Sequence, residues 1–259
     1  MSLIKTPEEI EKLKRGGEIL SRVLRHAAEA CVVGASTEAI DKLAHDEIVA
    51  AGGRPSFLGH RISPEDPAFP STLCISINEE VVHGLAKPDR TIKDGDIVGL
   101  DIGMWYEGLA TDMATTVMVG DVRPEVRELV KATRESLKQG ISVIVAGGWV
   151  SDIGAAVEDA LKPKGYGIVK DLVGHGVGHA VHEEPQVPNY REPRAPKIQL
   201  QEGMVLAIEP MVTLGSWKVT MKDDGWTIVT LDGSPAAHFE LTVAVTKSGF
   251  DLVTPWPDA

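Results

Sequence analysis

The sequence predicts an α+β fold built on a largely antiparallel sheet. Amphipathic helical patterns and β-branched segments follow one another in the order helices, strands, helices, strands along the 259 residues. Turn residues between adjacent β-branched segments favour antiparallel pairing. Neither G-x-G-x-x-G nor G-x-x-x-x-G-K occurs, so no nucleotide-binding motif is indicated. A chain of this length can bury one sizeable core, and we expect a single domain spanning residues 1–259.

The first helix is predicted to begin at Thr6-Pro7-Glu8-Glu9. Threonine is a good N-cap, proline suits the first helical position, and the glutamate three residues after the cap can close a capping box. The apolar stripe of this helix ends near Gly34. A second helix, capped by Ser36 or Thr37, is expected to stop at Gly52-Gly53.

A second helix pair repeats this pattern. Pro124 opens the third predicted helix, and the fourth follows Ser151. Five positions recur at a constant offset of 113 residues: Gly34, Ile40, Ala44, Ile48 and Gly52 match Gly147, Ile153, Val157, Leu161 and Gly165. Apolar residues four apart occur in any two amphipathic helices, so the match indicates a structural repeat without requiring one.

Alternating β-branched segments lie between and after the helix pairs. They are Leu73 to Ile77, Asp96 to Met104, Ala110 to Val119, Met204 to Met211, Trp226 to Leu231, and His238 to Thr246. Asp232-Gly233, between the last two, predicts a tight hairpin.

The segment from Ile97 to Val119 predicts a hairpin with two aspartates on one face. With the turn centred between Tyr106 and Glu107, Asp101 lies directly opposite Asp112. The rest of that face is small, consisting of Gly99, Gly103, Ala110 and Ala114. Opposed carboxylates repel each other unless a cation, a shared proton or a basic group separates them, so the pattern favours a metal site. The plainer alternative is a pair of exposed aspartates on a solvated sheet face.

Three histidines follow in Gly174-His-Gly-Val-Gly-His-Ala-Val-His182. The alternating glycines disfavour a helix and favour extended backbone. On a strand, His175 and His179 share a face and His182 points away unless the chain bends, and we interpret His179 as a surface residue.

Two glutamates interrupt apolar strands further along the chain. They are Glu209 in Gly203 to Met211 and Glu240 in Ala237 to Val245. Either one could be an exposed edge residue, but a buried carboxylate at these places has to be paired.

The charge and the cysteine content indicate which binding partners and which cell compartment fit this chain. The chain has 38 acidic and 26 basic residues, a formal net charge of −12, which argues against binding nucleic acid or an anionic membrane. No apolar run approaches the ~20 residues needed to span a bilayer. Cys31 and Cys74 are too few for a disulfide framework and are expected to be buried thiols. We therefore expect a cytoplasmic protein.

At these residues the sequence resembles the type I methionine aminopeptidases, from Thr6 to about Thr254. The resemblance implies the pita-bread fold, with pseudo-twofold halves and a curved, mainly antiparallel sheet covered by helices. The family's metal-ligand pattern falls on Asp101, Asp112, His175, Glu209 and Glu240, and its further histidines fall on His83 and His182. The segments Ala207-Ile-Glu-Pro-Met211 and Asp224-Gly-Trp226, and Cys74 before Ile-Ser-Ile-Asn, resemble this family rather than the proline-specific peptidases and creatinase.

The resemblance also implies an activity and its parts. Two divalent ions (Co, Mn, Fe, Zn or Ni) would activate a bridging water as the hydroxide that attacks the first peptide carbonyl, with a small second residue preferred. Glu209 would act as general base, while His83 and His182 would hold the carbonyl oxygen and the scissile amide. Phe69, Cys74 and Trp226 are candidates for gripping the methionine thioether.

The expected substrate is the N-terminal methionine of nascent polypeptides. A protein that acts on nascent chains could associate with the ribosome. We expect it to be a monomer. Two positions and one stretch on the substrate side depart from the family pattern. They are Val181 and Leu241, where an aromatic residue and a histidine are common, and the stretch from Leu58 to Pro70, with Phe69 in place of tyrosine.

Two other functions stay open at this point. One is an X-Pro aminopeptidase or dipeptidase on the same fold. The other is a non-catalytic binding protein on this scaffold, which the filled ligand positions disfavour because such proteins lose their metal ligands.

Overall fold

The fold is described here from a computed structural model, for residues 3–61, 63, 67–194 and 196–258. In that part of the chain the helices are α1 (Pro7–Glu29), α2 (Thr37–Ala50), α3 (Pro124–Ser142) and α4 (Val150–Leu161), with a 3₁₀ turn at Lys162–Lys164. The strands are β1 (Arg54–Pro55), β2 (Leu73–Ile77), β3 (Glu80–Val82), β4 (Ile97–Tyr106), β5 (Leu109–Met118), β6 (Gly167–Ile168), β7 (Gly174–Gly176), β8 (Glu183–Val187), β9 (Val205–Ile208), β10 (Met211–Thr213), β11 (Val219–Met221), β12 (Ile228–Thr230), β13 (Ala236–His238), β14 (Glu240–Thr246) and β15 (Gly249–Leu252).

The strands pair antiparallel, as the sequence predicts. The main sheet has the order β1-β4-β5-β14-β9-β7-β8, with β2 added to β4 and β15 added to β14. Two small sheets, β13-β10-β6 and β11-β12-β3, lie beside it. Among the described residues, no helix is both long and apolar enough to cross a membrane.

The helices pack on one face of the main sheet. Leu24 of α1, Leu129 of α3, Leu100 of β4 and Leu241 of β14 are fully buried in one apolar core. Because side chains alternate along a strand, this packing leaves the other face of β4 for Gly99, Asp101 and Gly103. The face that carries the aspartates is therefore separated from the helices by the sheet itself.

The helix boundaries follow the predicted caps. At the start of α1, the Thr6 hydroxyl accepts from Glu9 N at 3.2 Å, and the Glu9 carboxylate accepts from Thr6 N at 2.8 Å, which forms the predicted capping box. Ser36, and not Thr37, caps α2. Helix α4 begins before Ser151, because the Asp152 carboxylate accepts from Trp149 N and fixes the first turn there.

The predicted repeat is confirmed by burial and by hydrogen bonding. The three matched apolar residues of α2 and of α4 are at most 2% exposed. Gly34 N donates to Ile92 O and Gly147 N donates to Leu200 O, both at 2.8 Å, so equivalent bonds precede the two helices. The strands repeat as well, since Gly95 N donates to Val119 O at 2.9 Å and Gly203 N donates to Val245 O at 3.0 Å.

The hairpin predicted at Asp232-Gly233 is wrong. Strand β12 pairs with β11 and β3, whereas β13 pairs with β10 and β14 pairs with β5, β9 and β15. The turn itself exists, because Asp232 Oδ1 accepts from Ser234 N at 3.1 Å. It connects two different sheets, and tertiary packing of the flanking strands overrides the local turn preference.

Candidate metal centre

A cavity of about 510 Å³ opens on the sheet face opposite the helices. All seven predicted metal-ligand and catalytic residues line it, together with the three residues predicted to contact methionine. Its lining residues are Phe57, His60, Arg61, Phe69, Cys74, Val82, His83, Asp101, Asp112, Asp171, Leu172, Val173, His175, His182, Glu209, Met211, Trp226 and Glu240.

The two aspartates share a face of the β4–β5 hairpin, but the predicted register is wrong. Asp101 pairs with Ala114 and Asp112 pairs with Gly103, so the carboxylates are diagonal neighbours rather than directly opposed. The cause is the turn, which is centred on Glu107-Gly108, with φ of 48° and 83° at its two central residues. A two-residue hairpin turn needs positive φ at both positions, and glycine adopts it without strain. The slip of two residues keeps both side chains on the predicted face.

The alternative of solvated aspartates is wrong, because this face is covered. Asp112 is 3% exposed. A Cβ atom added to Gly103 would lie 2.1 Å from Ser56 Oγ, so the segment after β1 packs directly on the glycine. The small residues therefore admit another part of the chain as well as leaving room for the cavity.

The two glutamates enter the cavity from the second half of the repeat. Glu209 follows the last residue of β9, and its backbone carbonyl accepts from Asn189 Nδ2 at 3.1 Å. Glu240 begins β14, pairs with Ala114 of β5 and is 2% exposed. Glu240 thus lies beside the aspartate hairpin, and neither glutamate is an exposed edge residue.

The histidine segment bends, which brings two of its three rings to the cavity. Strand β8 folds back to pair with β7, and the His182 ring meets the His175 ring edge to face with centroids 4.5 Å apart. His175 Nε2 lies 3.3 Å from Glu209 Oε1. His179, predicted to be a surface residue, is partly buried, lies apart from the other two and bonds through Nε2 to Glu9 Oε1 of α1 at 2.8 Å.

His83 sits at a sharp bend directly after β3, with φ of 59°. Its carbonyl accepts from the hydroxyl of Thr227, and its ring lies 6.3 Å from the Trp226 ring. The buried carboxylate of Glu80, on the same strand, bonds Lys222 and Arg90. This ion-pair network ties the bend to the β11–β12 hairpin that carries Trp226.

Burial raises the pKa of every carboxyl in the cluster. Desolvation raises the pKa of Asp101 to about 7. Desolvation and repulsion by neighbouring carboxylates raise the pKa of the other three, Asp112, Glu209 and Glu240, well above the usual range. Four buried carboxyl groups this close together resist ionising together, and a bound cation would remove that resistance.

The surrounding histidines are held neutral. Desolvation, assisted by His60, lowers the pKa of His83 to about 4. Desolvation also lowers the pKa of His175. His182 has an edge open to solvent, but desolvation by the cavity wall still lowers its pKa. The nearby imidazoles of His175, His60 and His83 lower its pKa further. Neutral imidazole is the form that ligates metals and that both donates and accepts hydrogen bonds.

The residues fit a divalent metal. Asp112, His175 and Glu240 present ligand atoms that all lie within 4.8 Å of one another. Asp101 Oδ1, Asp112 Oδ1 and Glu240 Oε1 are buried and have no hydrogen-bond partner among the described residues. Buried carboxylate oxygens are normally paired, so these three acceptors fit a cation among them.

The substrate side of the cavity is apolar. Phe69, Cys74 and Trp226 form one buried cluster, and the Phe69 and Trp226 rings pack edge to face with centroids 5.1 Å apart. Val181 and Leu241, expected on the substrate side, are buried in the apolar cores and do not line the cavity. Part of the divergent stretch from Leu58 to Pro70, namely residues 62 and 64–66, lies outside the described residues.

Sequence reasoning missed several residues at this site. His60, Arg61 and Asp171 line the cavity, but no pattern in the sequence marks them. His238 lies next to the carboxylates, with Nε2 3.8 Å from Glu209 Oε2. Here a signal existed, because a residue two positions before Glu240 on an extended segment shares its face.

These features define the chain as a metal-dependent peptidase, and comparison with known proteins agrees. The model of metallopeptidase family M24 matches residues 11–247. The chain is 44% identical to the methionine aminopeptidase of Borreliella burgdorferi over 96% of each sequence. It belongs to metallopeptidase family M24, in the branch formed by the methionine aminopeptidases.

Solved structures extend the likeness to the fold. The crystal structure of methionine aminopeptidase from Thermotoga maritima matches with a TM-score of 0.91 and 40% identity, covering 97% of this chain and 98% of that one. Prolidase from Pyrococcus furiosus matches with a TM-score of 0.77 and 25% identity, covering 98% of this chain and 65% of that one. The pita-bread fold expected from the sequence is confirmed.

Proposed function

We propose that this protein hydrolyses the N-terminal methionine from nascent proteins and peptides, preferring a small second residue. One observation carries the proposal. A single cavity joins the buried carboxylates to an apolar pocket formed by Phe69, Cys74 and Trp226. Aromatic rings and a thiol suit the soft thioether of methionine. The free α-amine would lie at the carboxylate end of the same cavity.

Two divalent metal ions would be held by Asp101, Asp112, His175, Glu209 and Glu240. The unpaired carboxylate oxygens and the single imidazole support this assignment. The donor set is mostly oxygen, which suits Mn, Fe or Co at least as well as Zn or Ni. When bound, divalent ions lower the pKa of water and polarise the peptide carbonyl, so that hydrolysis proceeds near neutral pH.

The protein's own side chains would divide the remaining work. Glu209, whose pKa is raised by burial, would take a proton from the attacking water and pass it to the leaving amine. His83 and His182 face the cavity as neutral imidazoles and would hold the carbonyl oxygen and the scissile amide.

The proposal extends to the cellular setting. Nascent chains would be the substrate, with the protein acting as a monomer in the cytoplasm. The two cysteines, both buried and unbonded, support a reducing compartment. Docking at the ribosome has no support in the net charge of −12.

A side-by-side peptide assay tests the activity. The Mn²⁺-loaded protein is incubated with Met-Ala-Ser and Ala-Pro-Ser, and the released amino acid is quantified. We expect methionine release to exceed alanine release by at least about 100-fold, because the pocket formed by Phe69, Cys74 and Trp226 is apolar. A preference for Ala-Pro-Ser would favour the X-Pro aminopeptidase alternative. Trp226→Ala should lower kcat/KM for Met-Ala-Ser about 10- to 100-fold, since it opens one wall of the pocket.

A further inference from the structure

His238 is a buried imidazole aimed at the carboxylate cluster without lining the cavity. The residue is 3% exposed and ends strand β13. Its backbone is fixed, because His238 N donates to Thr116 Oγ1 at 3.0 Å and the Thr116 hydroxyl donates to His238 O at 2.7 Å. Its Nε2 atom lies 3.8 Å from Glu209 Oε2 and 4.0 Å from Glu240 Oε2.

The surroundings of Nε2 define its chemical role. Nε2 is buried and makes no hydrogen bond to any described residue. The oxygens next to it belong to carboxyl groups that, once ionised, can only accept a hydrogen bond. With those carboxylates ionised, the tautomer that suits this site is the one that carries its hydrogen on Nε2.

Glu209 consequently lies between two imidazoles that contact different oxygens. On the cavity side, Oε1 lies 3.3 Å from Nε2 of His175. On the inner side, Oε2 faces Nε2 of His238. Of the two imidazoles beside Glu209, only His175 belongs to the proposed metal ligands.

The repeat gives an independent reason to assign a role to His238. Gly95 and Gly203 make equivalent backbone bonds, to Val119 and Val245 respectively. Met211 follows Gly203 at the same distance along the chain as Gly103 follows Gly95. Met211 pairs with His238, and Gly103 pairs with Asp112. His238 thus occupies in the second half the ladder position that Asp112, a proposed metal ligand, occupies in the first.

We propose that His238 is a positioning residue that donates its Nε2 hydrogen to the inner carboxylate oxygens of Glu209 and Glu240 and so orients both groups toward the metal ions. This inference rests on the proposed function, since it takes the two glutamates as ligands. A movement of about 1 Å closes the present separations to the length of a charge-assisted hydrogen bond. Partners of this kind behind metal-binding carboxylates typically contribute 10- to 100-fold to metal affinity or activity.

The test compares two substitutions by isothermal titration of the metal-free, full-length protein with Mn²⁺. His238→Leu keeps the approximate volume and removes the donor, whereas His238→Gln keeps an N–H donor at similar reach. We expect His238→Leu to weaken the first binding step about 10- to 100-fold. His238→Gln should restore affinity to within about threefold of the parent. In the loaded enzyme, His238→Leu should lower kcat and leave KM for Met-Ala-Ser unchanged, because the methionine pocket is untouched.

A matched control is His179→Gln, which removes an imidazole bonded to Glu9 outside the cavity. It should leave Mn²⁺ affinity unchanged even if the melting temperature falls. Equal losses of affinity in His238→Leu and His238→Gln would overturn the donor role. So would a His238→Leu protein that binds Mn²⁺ normally and is only less stable. If His238→Leu fails to fold, the His238→Gln titration decides, since a loss above about tenfold contradicts the proposal.

A further variant, Glu240→Gln, separates this inference from the proposed function. If Glu240→Gln loses Mn²⁺ and His238→Leu does not, the metal site stands and the positioning role fails. If Glu240→Gln binds Mn²⁺ normally, the proposed ligand set itself is wrong.

Discussion

The two halves of the repeat build the same ladder and use it differently. In the first half, β4 and β5 are continuous ten-residue strands joined by a two-residue turn, and they carry Asp101 and Asp112. In the second half, the equivalent ladder is broken, at Glu209-Pro210 on one side and at Phe239 on the other. Continuous strands hold short aspartates in register, whereas the broken ladder carries the longer glutamates.

Matching the halves position by position shows how one centre arises from two similar frames. Glu209 matches Asp101, Glu240 matches Ala114, and His238 matches Asp112. Of these three matched positions, only one, Asp101 and Glu209, carries a carboxylate in both halves. A symmetric set of carboxylates would concentrate negative charge further, and the exchange of one carboxylate for an imidazole lowers that repulsion.

The largest expected effect comes from neutralising the matched pair Asp101 and Glu209. Asp101→Asn and Glu209→Gln should each lower kcat by at least about 10³-fold. Asp101→Asn should also weaken Mn²⁺ binding, because it removes a charged ligand oxygen. Steady-state kinetics and titration of the metal-free protein measure the two effects, with exposed Asp251→Asn as the control. Full activity in Asp101→Asn would refute the metal centre.

A smaller effect is expected on the pH dependence of stability. Burial raises the pKa of Asp101 from 3.8 to about 7, so the metal-free fold favours its protonated form. The contribution of this group to stability is present below pH 3.8 and is lost as the pH rises through about 7. We expect the melting temperature of the metal-free protein to fall by about 5 °C between pH 5 and pH 8.

Two comparisons isolate that effect. Saturating Mn²⁺ should abolish the fall, because bound ions stabilise the ionised carboxylates. Asp101→Asn should make the metal-free profile shallower, since the amide does not titrate, and the remaining slope comes from Asp112, Glu209 and Glu240, whose pKa values burial also raises. An unchanged slope in Asp101→Asn would mean that other groups control the pH dependence.

The smallest effect concerns the glycines that anchor the two ladders. Gly95 and Gly203 both have φ near 87°, so alanine is strained at either position by about 1 to 2 kcal/mol. A Cβ atom at Gly203 would also lie 2.9 Å from Lys5 O, whereas at Gly95 the closest neighbour is 3.4 Å away. Gly203→Ala should therefore destabilise more than Gly95→Ala in urea unfolding. Equal losses of unfolding free energy in the two variants would show that the N-terminal segment at Lys5 moves aside without destabilising the fold.

Much of the fold was readable from local chemistry. The capping box at Thr6 and Glu9 defined α1, and the spacing of buried residues in α2 and α4 revealed the repeat. Errors occurred where a turn could form in more than one way. The hairpin at Glu107-Gly108 shifted the aspartate register by two residues, and Asp232-Gly233 formed a turn between strands that do not pair. Turn residues specify a local bend, and only the neighbouring strands decide what pairs across it.

The sequence by itself determined which side chains could build the site. Period-two alternation put Asp101 and Asp112 on one face, and charged residues within apolar strands marked Glu209 and Glu240. Tertiary structure alone decided the rest. It bent the chain so that His182 meets His175, placed Leu241 in the core and aimed His238 at the glutamates. The physical reason is the sequence range of the interactions. Alternation along a strand fixes which face a side chain lies on, whereas distances between segments far apart in sequence depend on how the whole sheet and its helices pack.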